Sequence, residues 1–228
     1  MARHLFMFLL LLLAALTSAA APPSAQARQA SVREQEMATC LAGEQRTWPD
    51  GRDRPAAGPV QLAYRHGGAP RRFTEAQVRA AVLAAAQAWA ACGVPARLLP
   101  GEPEPGDVKT VVVQWNAFET RGNFALANLS QRTLSLSADM FALLARRNPR
   151  HPAGDTLQMA ISHEMGHFFG LMAHSRRCVD VMSYYSFGPG DTCSTRDGGS
   201  YKSVPEYRAL LPTACDLARC RAVNGLPP

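Results

Sequence analysis

Apolar residues recur with two different periods along this chain, and the two periods predict strands and helices. Alternation over residues 60–64 predicts a β-strand with one buried face. The unbroken apolar run inside residues 108–115 predicts a second strand in the interior of a sheet. Residues 124–129 and 133–137 predict two further short strands with a turn between them. Four elements are therefore expected to belong to a sheet.

Apolar residues at helical spacing predict two long helices. The first follows residues 74–77, where Thr-Glu-Ala-Gln fits a capping box, and should end near residue 91. The second contains residues 155–158, where Asp155 is the expected N-cap and Gln158 completes another capping box, and should end at Gly170. Shorter helices are predicted over residues 138–147 and from residues 203–206 onward. The proline-rich stretch 95–107 is expected to be a loop.

This order of elements is typical of one α+β domain with a loop-rich C-terminal part. The expected architecture is a small mixed, mostly parallel twisted sheet backed by two long helices. The composition agrees, since 47% hydrophobic and 18% charged residues are ordinary for a globular chain of 228 residues. We assign residues 58–228 to this domain. Residues 28–57, which are polar, are expected to be an irregular N-terminal extension.

The first 27 residues have the pattern of an export signal. Arg3 supplies a positive charge, an apolar run follows over residues 5–16, and Ala-x-Ala patterns occur near Ala20 and Ala27. An apolar run of about 12 residues is too short to cross ~30 Å of hydrocarbon as a helix, which disfavours a stable membrane anchor. Residues 1–27 are therefore interpreted as a signal peptide, and the protein as secreted or periplasmic.

All six cysteines follow the predicted signal peptide, and an even number in an exported chain suggests up to three disulfide bonds. Six cysteines allow 15 pairings. Pairing of near neighbours favours Cys40–Cys92, Cys178–Cys193 and Cys215–Cys220. A zinc–thiolate site is the competing interpretation, and it is disfavoured because the chain has no Cys-x-x-Cys pair.

The formal net charge of +6 comes largely from scattered arginines. A nucleic-acid-binding protein more often has a dense basic stripe with interleaved aromatic residues, so nucleic acid is not an expected partner. A solvated basic surface on a monomer is the favoured interpretation.

The segment His163-Glu164-Met165-Gly166-His167 contains the candidate chemistry. Residues four apart on a helix share a face, so His163 and His167 can present two imidazoles to one Zn²⁺. Glu164 lies beside the metal rather than on it, where it can act as general base toward an activated water and then protonate a leaving amine. Two surface histidines flanking an acid could also produce this pattern. The apolar residues around the motif disfavour that alternative, because two buried histidines and a carboxylate would be costly without a metal.

Residues 163–174 resemble the extended zinc motif of the metzincin superfamily, H-E-x-x-H-x-x-G-x-x-H. Gly170 stands where that motif has its glycine. The third histidine comes one residue late, because Ala173 occupies the expected position and His174 follows it. We interpret this as an extension of the turn by one residue, with His174 as the third metal ligand.

The stretch Asp180-Val-Met-Ser-Tyr-Tyr185 resembles the metzincin Met-turn. The resemblance implies that Met182 supplies an apolar floor beneath the metal and that Tyr184 can approach the zinc or the transition-state oxyanion. Taken alone, the stretch could equally be a core methionine with two packing tyrosines. Its order and spacing after the zinc motif favour the metzincin interpretation.

The resemblance implies a secreted bacterial zinc endopeptidase with a matrixin-like or serralysin-like catalytic domain. It implies a polypeptide substrate extended along an edge strand near residues 123–129, and a pocket shaped by residues 186–201. One catalytic zinc is expected, because only His66 and His151 remain for the second, structural zinc of matrixins. Calcium sites are not supported by the weak acidic signal around Asp191 and Asp197.

Two alternatives stay open from the sequence. Glu206, on a predicted helix, could replace His174 as third ligand in a thermolysin-like arrangement. The chain could also be a secreted binding or inhibitory module that keeps the fold without turnover. The shifted histidine favours that second alternative, and the intact Glu164 argues against it.

Overall fold

A five-stranded sheet forms one layer of the domain. The computed structural model describes residues 25–102, 107–184, 186–203 and 206–227. The strands are β1 (Val60–Tyr64), β2 (Ala96–Leu98), β3 (Thr110–Trp115), β4 (Ala125–Asn128) and β5 (Thr133–Leu136), in the spatial order β2-β1-β3-β5-β4. All neighbours are parallel except β4, which runs antiparallel to β5 at one edge. The expected mixed, mostly parallel sheet is confirmed.

The predicted interior strand lies at the centre of this sheet. β3 pairs with β1 on one side and with β5 on the other, which is why its apolar run is unbroken. The short strand β2 falls inside the proline-rich stretch that was expected to be only a loop. Ala96 to Leu98 pair in register with residues 60–62, so β1 is paired along both edges.

Two 16-residue helices cover the sheet, as expected. α2 (Glu75–Ala90) begins with the predicted capping box, in which Thr74 and Gln77 bond each other's backbone N–H. Its Trp89 is fully buried and stacks on Phe169 with ring centroids 5.6 Å apart. This contact joins α2 to the end of the helix that carries the histidine motif.

The predicted start of the second long helix was wrong. α4 (Ala153–Phe168) begins two residues before Asp155, with Pro152 as N-cap and no side-chain cap. Asp155 lies in the first turn, where a carboxylate is favourable next to the helix dipole. Gln158 instead donates to the carbonyl of Ala81 on α2. The helix ends as expected before Gly170, whose φ of +103° lets the chain turn away.

The remaining elements lie before β1, between β5 and α4, and after α4. They are α1 (Ala25–Ala38), α3 (Ala138–Arg147), the hairpin β6 (Ser186–Gly188) and β7 (Asp191–Thr192), a 3₁₀ turn (Tyr201–Ser203) and α5 (Ala214–Val223). α3 matches its prediction. The N-terminal extension was wrongly expected to be irregular throughout, since α1 occupies its first part. The last helix begins after Thr213, not near residues 203–206; Val204 and Pro205 lie outside the described residues.

Three disulfide bonds are formed, but two of the expected pairings were wrong. Cys178–Cys193 is as predicted, whereas Cys40 pairs with Cys215 and Cys92 with Cys220. Cys215 and Cys220 both lie on α5. A five-residue helical separation is at least ~7.5 Å along the axis, beyond the ~7 Å Cα limit for a disulfide. The near-neighbour pairing is therefore sterically excluded by the helix.

Within the described residues, no helix is long and apolar enough to cross a membrane. The predicted signal peptide lies outside the described residues except for its last three positions, which belong to α1.

Candidate metal centre

Three histidines converge at the end of α4. The ring centroids of His163, His167 and His174 form a nearly equilateral triangle with sides of 5.5, 5.0 and 5.3 Å. Each ring offers a nitrogen, and these three nitrogens all lie within 4.8 Å of one another. The structure therefore brings together all three ligands expected from the sequence, including the histidine that is one residue out of register.

The second nitrogen of each ring is held by a hydrogen-bond acceptor. Nδ1 of His163 lies 2.7 Å from the carbonyl of Val181, and Nδ1 of His167 lies 2.7 Å from the carbonyl of Leu171. Nδ1 of His174 lies 2.6 Å from a carboxylate oxygen of Asp50. Since a carbonyl or carboxylate accepts, each Nδ1 carries the proton, and in the neutral ring each Nε2 keeps its lone pair for a ligand.

The lone pairs of two of these nitrogens face each other. Nε2 of His163 and Nε2 of His174 are 3.1 Å apart, and neither carries a proton to bridge them in the neutral rings. Two nitrogens each about 2.0–2.1 Å from one zinc ion at a tetrahedral angle are separated by roughly 3.3 Å. The spacing, the donor type and the tautomers all fit a tetrahedral cation with three imidazole ligands.

Burial keeps these imidazoles neutral. Burial, followed by the neighbouring His167 and His174, lowers the pKa of His163 well below its ordinary value, and burial together with His174 lowers the pKa of His167 to about 4. The pKa of His174 is also lowered by burial, although Asp50 opposes the shift. Neutral imidazole is the form that binds a metal, so the site is in its ligating state at neutral pH.

The N-terminal segment 47–56 holds the extended turn that carries His174. Asp53 accepts from the backbone N–H groups of Met172 and Ala173, and Asp50 accepts from that of His174. Arg219, on α5, bonds both Asp53 and the carbonyl of Ala173. Ala173, which stands where the zinc motif was expected to have its third histidine, thus has both its backbone N–H and its carbonyl paired with side chains. These bonds fix the longer turn and explain how His174 reaches the site.

Gly51 allows the backbone of segment 47–56 to lie close to the backbone of the turn that carries His174. A Cβ on Gly51 would lie 2.3 Å from the carbonyl oxygen of Met172, which is closer than any real contact. Neither this glycine nor the two aspartates was singled out from the sequence. They lie more than 110 positions from the turn, and no local pattern connects them.

Glu164 is placed beside the histidines and not among the ligands. Its carboxylate accepts the backbone N–H of Ala127, on the edge strand β4, at 2.8 Å. The same oxygen is 3.9 Å from Nε2 of His167. Burial raises the pKa of Glu164 to about 8, while the bond from Ala127 opposes the shift. A carboxyl group with a pKa near neutrality can take up and release a proton.

Met182 lies directly beneath the helix that carries the motif. It is fully buried, and its sulfur would be 2.3 Å from a Cβ placed on Gly166. The neighbouring residue Val181 gives its carbonyl to His163 and its N–H to the carboxylate of Asp216 on α5. The predicted Met-turn thus orients one ligand from below; its last residue, Tyr185, lies outside the described residues.

Tyr184 forms part of the cleft above the histidines. Its ring stacks on His174 with centroids 3.6 Å apart and an interplanar angle of 11°. The side chain is 42% exposed, and burial of the rest raises its pKa, so the phenol remains a proton donor at neutral pH. The cleft has a volume of about 170 Å³ and is lined by residues 123–126, Met159, Ala160, His163, Glu164, His167, Tyr184 and Arg208.

Glu206, the alternative third ligand, does not converge on this site. Its carboxylate pairs with Arg208 at 3.0 and 3.1 Å. Arg208 itself lines the cleft, and none of its lining residues comes from 186 or 188–201. No sequence signal distinguished Arg208 from the many other arginines.

The other histidines and acids considered from the sequence lie elsewhere. His66 bonds the hydroxyl of Tyr64, and His151 bonds Thr156. Asp197 accepts the backbone N–H of Gly199. Cys40 and Cys215, which lie near Glu44, are joined in a disulfide and are not metal ligands.

No family model matches the chain, and no curated protein shows significant sequence similarity to it. The assignment of function therefore depends on the geometry of the site.

Proposed function

We propose that this chain is a secreted, zinc-dependent endopeptidase of the metzincin type. The observation that carries the proposal is the convergence of three neutral imidazoles, each with Nδ1 bonded to an acceptor, beside a buried carboxylate that is not a ligand. Three protein ligands leave a fourth tetrahedral position open, which distinguishes a catalytic zinc site from a structural one. The three disulfides are consistent with an exported protein.

His163, His167 and His174 would hold the zinc. When bound, zinc supplies a Lewis acid that polarises a carbonyl and lowers the pKa of water toward ~7. Asp50 and the carbonyls of Val181 and Leu171 keep the three rings aimed at one point, so the ligands need not reorganise when the metal enters.

Glu164 would move the proton. The N–H of Ala127 holds one carboxylate oxygen, which fixes the orientation of the group toward the cleft. In this position Glu164 accepts a proton from the attacking water and delivers it to the nitrogen of the leaving amine. Tyr184, a neutral phenol that also lines the cleft, would donate to the oxygen on which negative charge develops.

The substrate would be an extended polypeptide. β4 is the edge strand of the sheet and pairs only with β5 among the described residues. Its remaining edge borders the cleft, so backbone groups of a peptide can bond along it in the manner of an added strand. Binding of this kind recognises the backbone of the peptide rather than one particular side chain, which favours cleavage of internal bonds in unfolded protein.

The direct test compares the zinc-loaded protein with its Glu164→Ala variant on an unfolded, disulfide-reduced protein substrate. We expect cleavage at internal bonds by the wild type and a loss of at least about 10³-fold in the variant, with zinc content unchanged. Zinc bound at one ion per chain with no cleavage of any unfolded protein would instead support the non-catalytic binding module. Full activity of the variant would remove Glu164 from the reaction.

A further inference from the structure

A second cavity lies on the other side of His167 from the cleft. Its volume is about 550 Å³. Its walls come from residues 54–61, from the segment before β3, from the turn between β4 and β5, and from the end of α4. Leu129 lines it, so it lies beyond the C-terminal end of β4, whereas residues 123–126 place the cleft at the N-terminal end. A polypeptide extended along β4 would run from one to the other.

Within the part of the chain that the structure describes, this cavity is lined by three cationic side chains and by no acidic one. Arg54, Lys109 and Arg132 come from three separate segments of the chain. Among the described residues, none of the three forms an ion pair. Positive charges gathered in a concave site attract an anion, because the surrounding low-dielectric walls concentrate the field.

Arg132 carries a buried polar atom that has no partner. Its Nε is inaccessible to solvent and makes no hydrogen bond with the described residues. No described residue therefore supplies an acceptor or a counter-charge for the Arg132 guanidinium, and a carboxylate bound in the cavity would provide the charge-assisted partner that this group lacks.

Asp107, an acid whose charge Arg132 affects, does not supply this acceptor. Asp107 is close enough for Arg132 to lower its pKa slightly, but the larger causes are bonds from Thr110 and from the backbone of Lys109. Its two carboxylate oxygens are thus engaged by its own loop. It does not line the cavity.

The backbones that present the cations are fixed. Arg54 donates its backbone N–H to the carbonyl of Gly170, at the end of α4. Arg132 accepts from the backbone N–H of Val112 and holds a φ of +53°, a conformation that side-chain-bearing residues seldom adopt. The backbone N–H of Lys109 is bonded to Asp107. The backbone positions from which the three cations extend are therefore fixed before any ligand arrives.

We propose that Arg54, Lys109 and Arg132 form an anion subsite that binds an acidic side chain of the polypeptide substrate, near the scissile bond. This rests on the proposed endopeptidase function. The preferred substrates would then be acidic polypeptides, a class that the metal centre alone does not select. A carboxylate on an extended peptide alternates sides every ~3.4 Å, so only some positions along the peptide can reach the cavity.

The test measures binding and needs no turnover. Fluorescein-labelled alanine-based octapeptides carry either Glu or Gln at one position at a time, and they are titrated into zinc-loaded Glu164→Gln protein. We expect at least one position where Glu binds about tenfold more tightly than Gln, as a charge-assisted hydrogen bond to a guanidinium provides. Adding Arg132→Gln should reduce that ratio to below about twofold, and Lys109→Gln, at an exposed position, should reduce it partly.

Arg71→Gln is the matched control, because it removes one positive charge at an exposed residue that lines neither cavity. It should leave the ratio unchanged. A ratio near one at every position, or a ratio that persists in both Arg132→Gln and Lys109→Gln, would overturn the subsite. Inorganic phosphate that binds through Arg132 while Glu and Gln peptides bind equally would also overturn it, in favour of a small-anion site.

Failure of the subsite and failure of the proposed function give different results. Wild-type protein that cleaves the peptides without preferring Glu retains the endopeptidase and loses the subsite. Protein that binds Glu peptides through Arg132 but cleaves none retains the anion site and loses the peptidase.

Discussion

At the scale of single residues, the carboxylate of Asp50 determines how His174 can serve as a ligand. It bonds both the backbone N–H and the Nδ1 of that histidine, and it comes from a segment far away in sequence. A carboxylate behind a histidine raises the basicity of the ligating nitrogen and fixes its direction. The out-of-register histidine therefore depends on Asp50 more than His163 and His167 depend on their backbone carbonyls.

Asp50→Ala should weaken zinc binding by about 10–100-fold. The reason is that His174 loses the acceptor that selects its tautomer and the bond that fixes its backbone. Competition with a chromophoric chelator measures the affinity. Glu34→Ala, an exposed carboxylate on α1, is the control and should have no effect. Equal affinities of the wild type and Asp50→Ala would show that the imidazole is positioned by its turn alone.

Tyr184→Phe separates the two possible roles of the tyrosine. The ring that stacks on His174 is kept and only the hydroxyl is removed. If the hydroxyl stabilises developing charge, kcat should fall by about 10²–10³-fold, with zinc content and KM nearly unchanged. Steady-state kinetics at equal zinc loading measure this. An unaltered kcat would reduce Tyr184 to a packing residue of the Met-turn.

At the scale of elements, α4 approaches the turn that carries Met182 through a glycine. Gly166 faces Met182 and the ring of Trp89, and a Cβ there would lie 2.3 Å from sulfur and 2.7 Å from the nearest ring carbon. The two neighbours are fully buried and cannot swing into solvent. The absence of a side chain at Gly166 therefore determines how closely α4 packs against Met182.

Gly166→Ala should destabilise the protein by about 1–3 kcal/mol. Alanine is favoured over glycine in a helix by roughly 0.5–1 kcal/mol, but overpacking in a filled core costs more. Gly154→Ala on the same helix is the matched control, because a Cβ there meets nothing within 4 Å. That variant should be slightly stabilised. Urea unfolding of both variants measures the difference, and equal stabilisation of the two would contradict the contact.

At the scale of the whole molecule, two buried carboxylates link the candidate metal site to the C-terminal helix. Asp180 accepts from the hydroxyls of Ser175 and Thr213, while Asp216 accepts from the backbone N–H groups of Val181 and Thr213. Burial, followed by the charge of Asp216, raises the pKa of Asp180 to about 8. The pair therefore prefers to hold a proton in the folded state.

This pair should make folding stability fall as the pH rises. The pKa of Asp180 in the folded state lies above its unfolded value of 3.8. Its contribution to the free energy of unfolding is therefore complete below pH 3.8 and is lost as the pH rises through about 8. Asp180→Asn removes the titration. Urea unfolding of zinc-free protein between about pH 5 and about pH 9 should therefore give a flatter profile for the variant than for the wild type. Parallel profiles would show that Asp180 is ionised throughout.

Much of the fold could be predicted from the sequence because its signals are local. The capping box at Thr74, the alternation over residues 60–64 and the helical spacing of His163 and His167 each lie within one element. The features that were missed are tertiary: Asp50 and Asp53 behind the turn, and the pairing of Cys40 with Cys215. No periodicity encodes contacts made across more than a hundred residues.

The proposed zinc site depends most on His174 as its third ligand. Zinc content after dialysis, measured for the wild type, His174→Ala and Glu206→Ala, tests it most directly. We predict one zinc ion per chain for the wild type and for Glu206→Ala, and loss of most of the zinc for His174→Ala. Wild-type protein without stoichiometric zinc, or full retention of zinc by His174→Ala, would contradict the account.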